Sequence, residues 1–192
     1  MRLKDPRSEK PLIWHQVSKR TWTDRYPEIF AQCQTLMKPK KILSFGCSTG
    51  EECASLDLYF PDATIYGADI NDDALAEAQD KFPKFTFLQS YYENLAAYGP
   101  YDAIFAMNVL HRGTQGAEML PPYLPCDFQE QIDQLVSLLV SGGHLVTYKA
   151  AYPVEHSDIV PIQSGFEKLS IGFFLCEDVC MGSNRLLQNN TD

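Results

Sequence analysis

The sequence has no apolar run near the ~18 residues that a membrane-spanning helix needs, so no membrane partner is expected. Its first residues are charged and lack the apolar core of a secretory signal. Basic residues are scarce, since 16 Lys and Arg stand against 25 Asp and Glu and give a net charge of -9. A surface that is negative on average repels a phosphate backbone, so a nucleic-acid partner is disfavoured. These absences favour a cytoplasmic protein.

Cysteine occurs at six positions, but without the paired spacing of a disulfide framework or a zinc site. Most of these cysteines lie inside apolar segments, which is typical of reduced thiols in the cytoplasm. The one close pair, Cys176 and Cys180, has no matching second pair, whereas structural zinc sites use four ligands. No metal is therefore expected.

The length of 192 residues suits one domain with a small appendage, and a hydrophobic fraction of 45% provides for a sizeable core. We expect a helical segment over residues 1–38 that packs on a core domain over residues 39–192. Apolar residues recur every three or four positions between Pro11 and Met37, which predicts helix. Pro27 is a position where a second, shorter helix could begin.

After Pro39, short apolar runs alternate with amphipathic stretches. Strands are predicted over 41–45, 63–70, 85–88, 101–107 and 144–148. Three helices are predicted among them: one over 51–60, one that begins after a cap at Asn71 or Asp72, and one that begins after a cap at Asp127. Gly142 and Gly143 are expected to break the last helix, and residues 166–190 to hold a final antiparallel strand pair. Such alternation predicts an α/β fold with a three-layer, doubly wound, mostly parallel sheet. Ligands of such sheets bind outside the carboxyl ends of the strands.

The most informative stretch is ILSFGCSTGEEC, which covers Ile42 to Cys53. A buried strand runs into a loop of small residues, and the loop opens a helix. Gly46 and Gly50 permit positive φ and leave room for a ligand. The helix N-terminus offers unpaired N–H groups and a partial positive charge, so the loop is suited to a phosphate or a carboxylate.

An acidic residue follows at the end of the next predicted strand. Asp69 lies 19 residues after Gly50, where a carboxylate accepts hydrogen bonds from ribose hydroxyls in dinucleotide-binding folds. However, Glu51 stands where the dinucleotide pattern has its third glycine. A carboxylate at that point would repel a pyrophosphate and would suit an amino group, which favours S-adenosylmethionine (SAM) over NAD.

These motifs resemble those of the class I SAM-dependent methyltransferases, with GADIN as the ribose motif, FLQSYYENL as the adenine region and YDAIFAMNVLHR as the fourth strand and its turn. The resemblance covers about residues 40–148. It implies a seven-stranded Rossmann-like sheet with the last strand antiparallel, SAM as the cofactor, Asp69 on the ribose and the Gly46–Gly50 loop on the methionine. The predicted cofactor-site residues are Ser44, Gly46, Cys47, Ser48, Gly50, Glu51, Asp69, Ile70, Tyr91, Tyr92, Met107 and Asn108.

Two positions depart from the family pattern. The family usually has an acidic residue at Ser44, which positions the methionine amino group, so Glu51 or Glu52 is expected to supply that charge here. It also often has an acidic residue at Tyr91, where a tyrosine could instead stack on the adenine or hydrogen-bond to it. The string GCSTGEE is locally similar to chemotaxis receptor methyltransferases, which esterify protein glutamates, but this chain has no room for their additional domains.

His111 follows the fourth predicted strand, at the mouth where the methyl group should point, and is the candidate general base. A histidine that only packs the turn is the structural alternative. An apolar loop over residues 113–125 could form a flap at an acceptor site, and Trp14, His15 and Trp22 in the N-terminal segment could form a lid over the cofactor.

The sequence therefore predicts a SAM-dependent methyltransferase that acts on a small-molecule acceptor. One alternative is a SAM-binding regulatory or partner protein without transferase activity, and another is a protein carboxyl methyltransferase. An NAD-dependent oxidoreductase is disfavoured by Glu51. The sequence leaves the acceptor and the oligomeric state open.

Overall fold

The fold comes from a computed structural model, which describes residues 19–111, 124–152, 154, 157, 159–161 and 185–189. The helices are α1 Pro27–Leu36, α2 Glu51–Tyr59, α3 Asp72–Lys81, α4 Tyr92–Tyr98 and α5 Pro125–Ser137. The strands are β1 Lys41–Phe45, β2 Thr64–Asp69, β3 Thr86–Gln89, β4 Tyr101–Met107, β5 Leu139–Tyr148, β6 Ile159–Pro161 and β7 Arg185–Asn189. Among the described residues, no helix is long and apolar enough to cross a bilayer.

The strands lie side by side in the order β3-β2-β1-β4-β5-β7-β6. Strands β1 to β5 pair in parallel, and helices alternate with them along the chain. Strand β7 runs antiparallel to both of its neighbours, β5 and β6. The order reverses between β1 and β4, which makes a crevice at their carboxyl ends. The doubly wound, parallel α/β fold predicted from the sequence is confirmed.

Two apolar clusters cover the two faces of the sheet. One face packs against α1, α2 and α3 through side chains that include Phe30, Leu56 and Leu75, and the other packs against α4 and α5 through side chains that include Leu95 and Ile132. Strand β4 lies between these layers and buries all of its residues except Asp102. Burial on both faces explains why the central strands are continuous apolar runs rather than alternating ones.

Several local predictions are confirmed by the structure. Strands β1 and β4 have the predicted bounds, and Pro27 begins α1. Asn71 caps α3, because its side-chain oxygen accepts the N–H of Ala74 at 3.1 Å.

Other local predictions need correction. Helix α1 starts at Pro27, and residues 19–26 form a turn and extended backbone rather than helix; the part of the predicted helix before Lys19 lies outside the described residues. Helix α4 was not predicted at all. It has seven residues and buries only Leu95, so it shows no apolar stripe in the sequence. The division of the chain at residue 38 stays a prediction.

The boundary between α5 and β5 also differs from the prediction. Asp127 lies in the first turn of α5 rather than at its cap, and the helix begins at Pro125, whose missing N–H costs nothing at a helix start. The helix ends at Ser137, so the two glycines do not break it but lie inside β5.

The glycine pair instead accommodates an irregularity in β5. The pairing of β4 with β5 shifts register between Tyr101 and Ala103. A Cβ on Gly143 would lie 2.9 Å from the carbonyl oxygen of Val140 and 3.2 Å from that of Tyr101, so only glycine fits. Of the predicted C-terminal strand pair, β7 falls within residues 166–190, whereas β6 precedes that range.

Some predictions fall on residues that the structure does not describe. Residues 162–184, with the cysteines at 176 and 180, lie outside the described part, and so does most of the 113–125 loop.

Candidate functional site

A cleft of about 860 Å³, open to solvent, lies at the carboxyl ends of β1, β2 and β4, where the strand order reverses. The predicted site residues that line it are Gly46, Cys47, Ser48, Asp69, Ile70, Met107 and Asn108. Those that do not line it are Ser44, Gly50, Glu51, Tyr91, Tyr92 and His111.

The loop between β1 and α2 takes its shape from its glycines. Gly46 has φ 81°, and a Cβ there would lie 2.3 Å from the side chain of Val109, in the loop after β4. Gly50 has φ 90° at the cap of α2, and a Cβ there would lie 2.8 Å from Phe82 of α3. Both glycines therefore serve close packing, and only Gly46 borders the cleft.

Asp69 lies at the end of β2 and is held by backbone N–H groups. Its Oδ2 accepts the N–H of Ser48 at 2.9 Å, and its Oδ1 accepts the N–H of Asn71 at 2.9 Å. Burial raises the pKa of Asp69 above its usual value, and these N–H groups oppose that rise. The carboxylate is thus fixed in orientation at the rim of the cleft, as a ribose diol would require.

Glu52 is a cleft residue that the predicted site did not include. It is only 8% exposed, and its Oε1 accepts the hydroxyl of Ser44 at 2.8 Å. Among the described residues it forms no ion pair. Burial raises the pKa of Glu52 to about 8, against the opposing effects of the Ser44 hydrogen bond and the charge of Arg25. The family's strand acid is absent at Ser44, but a helix carboxylate reaches the same place.

Glu51, one residue earlier, does not line the cleft, and its place in the cofactor site stays a prediction. Its carboxylate pairs with Lys81 of α3 and accepts the hydroxyl of Thr49 at 2.6 Å. Burial alone would raise the pKa of Glu51, but the hydrogen bonds from Lys81 and Thr49 lower it below its usual value. Paired with Lys81 and outside the cleft lining, Glu51 is not placed to repel a pyrophosphate.

The adenine region differs from the prediction in detail. Tyr91 is the cap residue of α4, and the hydroxyl of Tyr92 lies 3.2 Å from the Ser137 hydroxyl of α5. Neither tyrosine lines the cleft, where Ser90 and Asn71 border the space beside Ile70.

His111 stands behind the cleft rather than in its lining. Its Nε2 lies 2.9 Å from Oδ1 of Asn108, which does line the cleft. The N–H of Asn108 donates to the carbonyl of Tyr148 at 2.8 Å, which fixes the turn after β4. Burial, together with the positive charges of Lys149 and Arg25, lowers the pKa of His111 to about 4. The imidazole is therefore neutral at neutral pH.

The segment before α1 supplies cleft residues that sequence reasoning missed, apart from Trp22, which was considered for a lid. Arg25 and Tyr26 line the cleft beside Trp22, and the guanidinium of Arg25 lies 4.5 Å from the centre of the Trp22 ring. The segment is tied to the loop after β1, because the hydroxyl of Ser48 donates to the carbonyl of Lys19 at 3.1 Å.

Residues 42–121 match the protein-family model described as "Methyltransferase domain". This stretch of the chain is therefore similar to a methyltransferase domain. The chain is 28% identical over 144 residues to a trans-aconitate 2-methyltransferase from Rhodopseudomonas palustris, covering 73% of this chain and 50% of the relative. It is 30% identical over 90 residues to the enzyme of the same name from Yersinia pestis, covering 47% of this chain and 35% of the relative. The chain thus spans half or less of the length of these curated relatives.

Solved structures of two methyltransferases share the fold of this chain. An amino pentose methyltransferase from Micromonospora echinaspora, solved with SAM bound, matches with a TM-score of 0.52 at 15% identity, over 74% of this chain and 58% of that chain. The N-methyltransferase NodS from Bradyrhizobium japonicum, solved with S-adenosylhomocysteine (SAH), matches with a TM-score of 0.51 at 18% identity, over 65% of this chain and 59% of that chain. The Rossmann-like methyltransferase fold implied by the sequence motifs is confirmed.

Proposed function

We propose that this chain is a SAM-dependent methyltransferase that acts on a small-molecule acceptor. The observation that carries the proposal is the pair of carboxylates at the cleft, Asp69 at the end of β2 and Glu52 on α2. Asp69 suits a ribose, and Glu52 suits an ammonium group, which would pair with its carboxylate. The methyltransferase domain match and the curated relatives, which are named for a small molecule, support the same function.

The cleft residues fit the parts of SAM. Asp69 would accept hydrogen bonds from the ribose hydroxyls, and the backbone of Gly46, Cys47 and Ser48 would border the methionine portion. Arg25 forms no ion pair among the described residues and offers a planar guanidinium to a carboxylate. When bound, SAM supplies an electrophilic methyl group on a sulfonium sulfur.

The chain's own contribution to methyl transfer is mainly positioning, because the acceptor must be held in line with the carbon–sulfur bond that breaks. Asn108 lies at the cleft and is oriented by its hydrogen bonds to Tyr148 and His111. Because Oδ1 of Asn108 only accepts, Nε2 of the neutral His111 carries the hydrogen and orients the Asn108 side chain. For an acceptor that reacts as a neutral hydroxyl or amine, His111 would take the released proton at its other nitrogen, Nδ1. Its lowered pKa makes it a weak base, so an acceptor that is already anionic would gain little from it.

Calorimetric titration with SAM, SAH and NAD tests the cofactor assignment. We expect SAM and SAH to bind and NAD to bind more weakly, and tighter binding of NAD would overturn the proposal. Release of SAH from SAM in the presence of small-molecule acceptors, trans-aconitate among them, tests transfer. Binding without transfer to any acceptor would favour a cofactor-binding protein without transferase activity.

We also propose that the chain works in the cytoplasm. Four cysteines in the described part, namely Cys33, Cys47, Cys53 and Cys126, are free thiols, and three of these are buried. Reduced thiols are usual where glutathione and thioredoxin maintain reducing conditions.

A further inference from the structure

We propose that the Ser44–Glu52 pair is the ammonium subsite of the cleft, and that filling it releases a proton from Glu52, so that cofactor affinity rises with pH through the neutral range. This inference rests on the proposed function, because it assigns the amino group of SAM or SAH to Glu52. It adds a dependence on pH that neither the fold nor the relatives imply.

The geometry of Glu52 is that of a receptor rather than of a structural acid. Its side chain is buried in the cleft wall, and among the described residues its carboxylate accepts one hydrogen bond, from Ser44. A carboxylate has about four lone-pair sites, so most of its accepting capacity is unused among the described residues. A buried charge without a partner is costly, and the usual outcome is that the group takes up a proton until a cation arrives.

Within the part of the chain that the structure describes, the groups that face Glu52 leave it without a neutralising partner. Arg25 and Tyr26 face it from the segment before α1, Ser44 from β1, and Cys47 from the loop after β1. Burial raises the pKa values of the Tyr26 phenol and the Cys47 thiol, so both stay neutral at neutral pH. Arg25 is therefore the only charge among them, and it interacts with Glu52 at a distance beyond that of an ion pair.

An arriving ammonium group changes this balance. It donates N–H bonds to the free lone pairs of Glu52 and supplies the missing positive charge, which favours the carboxylate over the carboxylic acid. The O–H bond of the acid breaks, the proton leaves to solvent, and the ligand keeps its ammonium. Because burial holds the pKa of free Glu52 at about 8, this proton release occurs within the physiological range.

The neighbouring acid provides a matched control. Glu51 is adjacent in sequence and similarly buried, but its carboxylate pairs with Lys81 and does not line the cleft. Glu51→Gln and Glu52→Gln thus remove one carboxyl each, at the same helix end, and only the second touches the cleft.

The test is isothermal titration of the full chain with SAH at several pH values, in buffers of different ionisation enthalpy. We expect the wild-type protein and Glu51→Gln to release about one proton on binding below about pH 8, and their affinity to rise about tenfold per pH unit until it levels off. Glu52→Gln should lose this proton release and bind about 10- to 150-fold more weakly at pH above 8. The titration of the ligand's own amino group is common to all three proteins and cancels in the comparison.

A second variant guards against a folding defect in Glu52→Gln. Ser44→Ala keeps the carboxyl but removes its hydrogen-bond donor, so the pH at which affinity levels off should move upward. A flat pH profile in the wild-type protein, or a Glu52→Gln protein that binds SAH as tightly as wild type above pH 8, would overturn the inference while leaving the proposed function intact. Failure of every protein to bind SAH at any pH would instead overturn the proposed function.

Discussion

Replacing Glu52 with glutamine should stabilise the ligand-free protein at alkaline pH and have little effect at acid pH. Burial raises the pKa of this carboxyl from 4.5 to about 8 in the folded state, whereas the unfolded chain exposes it to water. Between these two pH values the folded protein binds a proton that the unfolded chain has lost. Ionising Glu52 therefore works against folding, and its contribution to stability is present below the unfolded pKa and lost as pH rises toward the folded pKa.

The size of the effect follows from this shift. Each pKa unit corresponds to about 1.4 kcal/mol, so the free energy of unfolding of the wild-type protein should lose roughly 4–5 kcal/mol through this group by pH 8. Glutamine has a similar shape, is neutral at every pH and can still accept the Ser44 hydroxyl. The gain from Glu52→Gln should accordingly grow by about 1.4 kcal/mol per pH unit and become constant above about pH 8.

Urea denaturation of both proteins from about pH 5.5 to about pH 9 measures this difference directly, because groups common to both proteins cancel. Glu51→Gln should behave in the opposite way. The pKa of Glu51 is lowered in the folded state, so its contribution is present above the unfolded pKa and lost as pH falls, and the variant should be less stable near neutral pH. A difference between wild type and Glu52→Gln that is independent of pH would refute the reasoning. Residues that are kept for function often reduce the stability of the folded protein, so removal of a ligand-binding carboxyl from the cleft is expected to stabilise it.

Three further predictions concern the rest of the cleft. Asp69→Ala should weaken SAH binding by roughly 30- to 150-fold, through loss of charge-assisted hydrogen bonds to the ribose, and an unchanged dissociation constant in a folded variant would contradict that role. His111→Ala should lower kcat by about 10²- to 10⁴-fold with cofactor affinity nearly unchanged, if the acceptor must lose a proton; wild-type turnover in both this variant and His111→Gln would show that the histidine is structural. Gly46→Ala should cost about 1–3 kcal/mol, because the residue has positive φ and its new Cβ would overlap the Val109 side chain. Val109→Ala should restore only part of that loss in a thermal melt, since the backbone strain at position 46 persists.

The central sheet was predictable because burial on both faces leaves a strong signal. Strands β1 and β4 were bounded to the residue, since each is a short apolar run between polar or glycine residues. Helix α4 was missed because a seven-residue helix with one buried side chain has no periodic pattern.

The site was less predictable, because its key choices depend on tertiary packing. Glu51 and Glu52 are equivalent in the sequence, yet successive residues on a helix point about 100° apart. Which of them faces the cleft depends on how α2 packs beside α3, where Lys81 pairs with Glu51. Arg25 likewise lies in an irregular segment, where no spacing relates it to the glycine loop, which begins 21 residues later at Gly46.

The position of Trp22 gives the protein a built-in optical probe. The chain has only two tryptophans, and Trp22 is 46% exposed at the mouth of the cleft with Arg25 against its ring. Indole emission responds to solvent contact and to nearby charge. A ligand whose carboxylate draws the Arg25 guanidinium away from the Trp22 ring would change both the solvent contact of the indole and the charge beside it. With Trp14 replaced by phenylalanine, the fluorescence of a single indole would follow occupancy of the cleft without any added label.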